Sequence, residues 1–94
     1  MIVRIDIDKS ADSFGYRVSH ESEEMYADDG LASLVECLIA AVEGMPPEAV
    51  AAELWYDGVV SGTYPLSVIG MSVEQVAQHA VNTTAMLDDV MPDR

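Results

Sequence analysis

Residues Ile2 to Asp8 alternate strictly, with Val3, Ile5 and Ile7 apolar and Arg4, Asp6 and Asp8 charged. A period of two puts these sets on opposite faces of a strand. The chain must therefore build a sheet with one dry face and one wet face, and something has to cover the dry one. Phe14, Tyr16 and Val18 alternate in the same way with Gly15, Arg17 and Ser19 after the turn-forming stretch Lys9 to Ser13, which predicts an antiparallel partner. A third short strand is expected near Glu24 to Ala27.

The cover comes from helical patterns. Leu31 to Glu43 has helical spacing, with Asp28 and Asp29 placed as caps and first-turn anions. On that helix Leu31, Leu34, Val35, Leu38, Ile39 and Val42 make a wide apolar arc, and Ala32, Ser33, Glu36, Ala40 and Glu43 a narrow polar face. Gly44, Pro46 and Pro47 stop it. Pro47 to Leu54 has a helix-starting composition, but Trp55-Tyr56-Asp57-Gly58-Val59-Val60 reads as a hairpin around a type I′ turn, and the hairpin is the favoured reading. Leu66 to Ile69 is a candidate further strand. Ser72 and Gln75 form a capping-box pattern with Met71 and Val76 spaced as a hydrophobic staple. The last helix is expected to run from there to about Leu87, burying Val73, Val76, Ala77, Ala80, Thr84 and Leu87. The expected fold is α+β: a single domain over residues 1–94, with an antiparallel sheet of four or five strands and two helices on one face. Ninety-four residues do not fill a second core.

The charge is as one-sided as the sheet. The chain has 17 Asp plus Glu against 4 Lys plus Arg, a net −13. The cations are Arg4, Lys9, Arg17 and Arg94, so Val18 to Asp93 holds none while carrying 14 of the acids. Nucleic acid and anionic membranes are bound through cations; neither is an expected partner. Acidity of this kind serves either solubility or recognition of something basic. A lone Cys37 makes no internal disulfide, and the opening lacks the basic and apolar regions of a secretory leader, so a cytoplasmic location is expected.

Site motifs are sparse. Asp6, Asp8, Ser10 and Asp12 look like the start of a calcium loop, but Ala11 and Arg17 stand where Gly and a bidentate Glu are needed, so solvated carboxylates are the simpler reading. His20, His79 and Cys37 are singletons without metal-ligand spacing. Cys37 borders an apolar stripe, where a small packed hydrophobe is a commoner role than a nucleophile. No phosphate-binding glycine motif occurs. The chain is expected to be non-catalytic and to use no cofactor or metal. Trp55 and Tyr56 should point to opposite sheet faces, one packed and one available as an interface anchor. Asp88 and Asp89 end the last helix, where the helix dipole disfavours anions, so stability does not account for them.

Residues 1–44, with a first strand at Ile2 to Asp8, a second centred on Gly15-Tyr16-Arg17-Val18, a short third before Asp29-Gly30 and a helix with Glu36 near its middle, resemble the strand–strand–strand–helix domain of HicB-type antitoxins. The resemblance implies a non-catalytic protein that binds and neutralises a partner, and it carries over no functional residue. The expected function is thus an acidic module that binds a basic protein, of the antitoxin, immunity or anti-defence inhibitor kind, with nucleic-acid-binding or nucleic-acid-processing proteins as candidate partners and carboxylates standing where phosphates would. The alternative is a small assembly subunit in which acidity serves solubility and the apolar residues build a homodimer or larger oligomer. Residues expected to touch a partner are Glu21, Glu23, Glu24, Trp55, Tyr56, Asp57, Asp88 and Asp89.

Overall fold

A computed structural model describes residues 1–90, with side chains described through Ala85. Five strands and three helices follow in the order β1 (Ile2–Lys9), β2 (Phe14–His20), β3 (Glu23–Leu31), α1 (Leu34–Glu43), β4 (Ala51–Tyr56), β5 (Val59–Pro65), α2 (Leu66–Met71) and α3 (Val73–Val90). They form one sheet in the order β3-β2-β1-β4-β5. The fold is α+β as expected, but the sheet is mixed. β1 pairs antiparallel with β2 and parallel with β4, with Arg4 opposite Glu53 and Asp6 opposite Trp55. The cause is connectivity: β3 runs in the same direction as β1, and a helical crossover through α1 returns the chain in that direction beside β1. Asp57 N–H donates to the Ile7 carbonyl at 2.8 Å and extends this ladder.

β1 and β2 lie where alternation puts them. β3 is longer than Glu24–Ala27 because irregular pairing near its two ends, between Phe14 and Tyr16 and between Val18 and Ser19 on β2, lets it run on to Leu31. Consequently Asp28 and Asp29 are strand residues, and the cap of α1 is Ser33, whose hydroxyl accepts the Glu36 N–H at 3.1 Å. The β2–β3 turn places both Glu21 (φ 53°) and Ser22 (φ 70°) in the left-handed region without a glycine. At the β4–β5 turn Asp57 (φ 53°) and Gly58 (φ 81°) have the two positive φ angles of type I′, and the hairpin, not a helix, occupies 51–65.

Leu66 to Ile69 belongs to a helix rather than a strand. Pro65 closes β5, having no N–H to continue a ladder, and sits at the N-cap of α2, which drops Ile69 into the core. The expected Met71–Val76 staple is not made: Val76 is buried, whereas Met71 is 87% exposed. Ala77, Ala80 and Thr84 are buried on α3 as expected, Val73 is half-buried, and Leu87 lies outside the described side chains. Thr84 also donates to the Tyr56 carbonyl at 3.4 Å, tying α3 to the end of β4.

One core joins Val3, Ile5 and Ile7 of β1 with Val18, Ala52 and Leu54 of the flanking strands and with Leu34, Cys37, Leu38 and Ala41 of α1. The buried stripe of α1 is centred on 34, 37, 38 and 41, so Ile39 faces outward and the helix is less covered than its composition predicts. Tyr26 ties β3 to the far end of α1. Its hydroxyl donates to the Ala41 carbonyl, its ring meets Tyr16 edge-on at 6.2 Å, and it fills the space beside Gly44. Gly44 has φ −87°, so it is not a left-handed helix cap. A Cβ there would stand 2.9 Å from the Tyr26 ring. Close packing, not conformational freedom, explains this glycine.

Candidate functional site

The strand residues that alternate with the core set lie on the opposite face of the sheet. On β1 these are Ile2, Arg4, Asp6 and Asp8, exposed or half-buried; on β4 they are Ala51, Glu53 and Trp55. The parallel register draws four of them into one square. Arg4 is opposite Glu53, Asp6 is opposite Trp55, and Arg4 to Asp6 and Glu53 to Trp55 each span two residues along a strand. Contacts follow from that square. The Arg4 guanidinium donates to both Asp6 carboxylate oxygens at 2.9 Å, and its carbon stands 4.1 Å from the centroid of the Trp55 ring. Trp55 Nε1–H donates to Glu53 Oε1 at 2.7 Å. Trp55 is therefore fixed on two sides, by a cation over its face and a carboxylate at its edge. The hydrogen bonds to Asp6 raise the pKa of Arg4 above its ordinary value, with Asp6 and Glu53 adding charge attraction.

Arg17, opposite Asp6 on the other flank of β1, pairs with Glu24 at 3.0 Å. Both arginines of the sheet are thus engaged by carboxylates, as surface pairs each worth only about 0–1 kcal/mol. Their effect on recognition is larger, because their charge is already answered within the face. A depression of about 470 Å³ opens between them, lined by Asp6, Ser19, His20, Glu21, Glu24 and Glu53 together with both arginines. A second, of about 480 Å³, lies beyond Arg17 and is lined by Asp8, Asp28 and Asp29 with Gly15 and Ala27. Carboxylates outnumber Lys and Arg in both, four to two in the first and four to one in the second.

The residues expected to touch a partner are spread across this architecture. Glu21 is at the β2–β3 turn with Glu23 and Glu24 just after it, all exposed. Trp55 is on the open face near the other end of β1, and Asp57 is at the β4–β5 turn. The register therefore separates Glu21 from Asp57 by the length of the sheet, with the open face connecting them. Of the two aromatics, Trp55 takes the open face and Tyr56 packs on the core side, where burial and then Asp57 push its phenol pKa up. Asp88 and Asp89 fall in the last turns of α3, and their side chains lie outside the described residues.

Arg4, Asp6 and Glu53 are the parts of this face that sequence reading does not gather. Their i, i+2 spacing with one another and with Trp55 was the available signal, but joining the two pairs needs the parallel β1–β4 register. Cys37 is wholly buried, and burial, with Glu36 and Asp28 adding to it, pushes its thiol pKa up to about 11, which leaves it neutral and unreactive at ordinary pH. Among the described residues no group of three or more His, Cys, Asp or Glu is arranged to hold a metal, and no helix is long and apolar enough to cross a membrane. Comparison with known proteins gave no matching family model, no matching curated protein and no matching solved structure, so the geometry alone carries the functional reading.

Proposed function

We propose that this chain is a non-catalytic acidic binding module that docks a basic protein on the open face of its sheet. One observation carries the reading: the face holds a tryptophan clamped by Arg4 and Glu53, and the arginines that could repel a cationic partner are already paired with Asp6 and Glu24. Among the described residues Asp8, Asp29 and Glu53 remain without an ion-paired cation on the same face, with Glu21 and Glu23 at its edge. A rigid aromatic among carboxylates suits a partner that offers lysines and arginines around an apolar spot. A nucleic-acid-binding protein has such a surface, and the carboxylates then occupy the places of phosphates. The resemblance of residues 1–44 to HicB-type antitoxins points to the same class, a protein that neutralises another by binding it.

The experiment is capture from a lysate at low salt, identification of what is held, and titration of that partner against the pure protein. Affinity should fall steeply as salt rises and drop about tenfold or more for Trp55→Ala. A complex indifferent to salt and to Trp55 removes the open face from the account.

A further inference from the structure

The helical side of the molecule carries a surface of the opposite character. Between α1 and α2 runs an apolar groove of about 210 Å³ lined by Ile39, Val42, Ile69, Gly70 and Val73, with Glu43 the one charged residue in its lining. Gly70 leaves this wall bare, since a Cβ there would meet no atom within 4 Å. Next to it stands Met71, at 87% exposure the most exposed large apolar residue among those described; Ile39 at 44% and Val68 at 41% lie exposed as well. The whole of α2 is uncharged, in a chain of net −13.

We propose that this surface pairs with a second copy of the chain, the Met71 side chain of each copy entering the groove beside Gly70 of the other. Three observations select this occupant. The knob and the hole lie on one helix and its neighbour, so a two-fold axis passing near Gly70 and Met71 satisfies both at once, as an isologous interface requires. The groove has room for the guest: an engineered cavity of about 150 Å³ holds a benzene, and an unbranched thioether adapts readily to such a slot. Charge then sorts the candidates. A basic protein is drawn to the carboxylate-rich sheet face rather than to this groove, where Glu43 is the one acid, whereas two chains of net −13 approach with least repulsion where charge is sparsest, along the uncharged α2.

The interface also predicts its own salt dependence. A standard interface removes about 800 Å² from each copy, roughly one seventh of the 5689 Å² surface of the chain. The groove alone is smaller than that, so the contact must reach the flanking Glu43 and Glu74. Like charges are thereby drawn near one another, and added salt should strengthen the dimer, the reverse of its effect on a basic partner bound to the sheet. The two surfaces are on opposite sides of the molecule, and a dimer formed in this way leaves the open sheet face of each copy free.

Sedimentation equilibrium of the full chain tests this, at ~0.15 M and ~1 M salt, where the screening lengths are about 8 and 3 Å. The wild type should dimerise, more tightly at the higher salt. Met71→Asp and Ile39→Glu, both at exposed positions and checked for folding by circular dichroism, should each weaken the dimer about tenfold or more. In a mixed sample of differently labelled copies, the Met71 methyl should show contacts to Ile39 or Val73 of the other copy. A wild type that stays monomeric at millimolar concentration in ~1 M salt overturns the proposal and leaves the groove to an apolar partner of another kind. A dimer unaffected by both substitutions also overturns it, by placing the interface elsewhere.

Discussion

Gly44→Ala sets backbone preference against packing, and the two predict opposite signs. With φ −87° and ψ 0° the residue occupies a conformation open to alanine. On backbone grounds alone the substitution should stabilise by about 0.4–1 kcal/mol, by restricting the unfolded chain. The surroundings oppose it. The new Cβ would stand 2.9 Å from Cε2, 3.0 Å from Cζ and 3.2 Å from Oη of Tyr26. These lie well inside the ~3.5–4.0 Å at which carbon atoms attract, so the ring must move. It is held by Tyr16 on its edge and by the hydrogen bond from its hydroxyl to the Ala41 carbonyl. Overpacking of this kind costs about 1–3 kcal/mol and loss of the hydrogen bond about 1 kcal/mol more. After subtracting the backbone gain, Gly44→Ala should destabilise by about 1–3 kcal/mol, a fall in Tm on the order of 5–15 °C for a domain of this size. Urea unfolding followed by circular dichroism measures it. The same change in a Tyr26→Thr background should lose most of its cost, because the clashing ring is gone. A Gly44→Ala protein at least as stable as wild type, or a cost that survives removal of the ring, refutes the packing account of this glycine.

Three further outcomes follow from other parts of the structure. Ser22→Gly should stabilise by about 1 kcal/mol in the same urea assay, since a left-handed non-glycine residue costs about 1–2 kcal/mol that glycine does not incur; a destabilised variant would mean the turn is not of this form. Cys37 has a folded pKa raised to about 11 from an ordinary 9.0, so its neutral form favours folding; that stability is fully present below pH 9 and is lost as pH rises toward 11, with Tyr16, Tyr26 and Tyr56 shifted in the same direction. Native protein should thus resist thiol alkylation at pH 8 and react only on unfolding, and rapid native-state modification contradicts the burial. Finally, a net charge of −13 repels itself; the thermal midpoint should rise by several degrees between ~0.01 M and ~0.1 M salt, as the screening length falls from about 30 to 10 Å, and a flat response would show that the charges are spaced beyond mutual influence.

How far the sequence reveals this molecule depends on whether the deciding interactions are local. Alternation in β1 and β2 needs no partner to be read, and Asp57-Gly58 marks its hairpin by turn chemistry alone. The parallel β1–β4 pairing joins residues about fifty positions apart, and only the crossover through α1 hints at it. α2 is six residues of apolar sequence, too short for periodicity to separate helix from strand, and Pro65 and the core decide. For the start of α1 the sequence points to Asp28 and Asp29 as caps, and the length of β3 moves the cap to Ser33 instead. The candidate face divides in the same way: that Trp55 and Tyr56 would take opposite sides was readable, but which one faces out, and that Arg4 and Glu53 would hold it, depends on the long-range register.

The central claim is that the open sheet face recognises a basic protein through Trp55 and its surrounding carboxylates. Its most direct test is the affinity of a captured partner, measured by calorimetry from ~0.05 to ~0.5 M salt for wild type and for a Trp55→Ala, Glu53→Gln variant. The account predicts a wild-type affinity that falls steeply with salt and a variant weaker at every salt concentration. An affinity unchanged by salt and by both substitutions contradicts it.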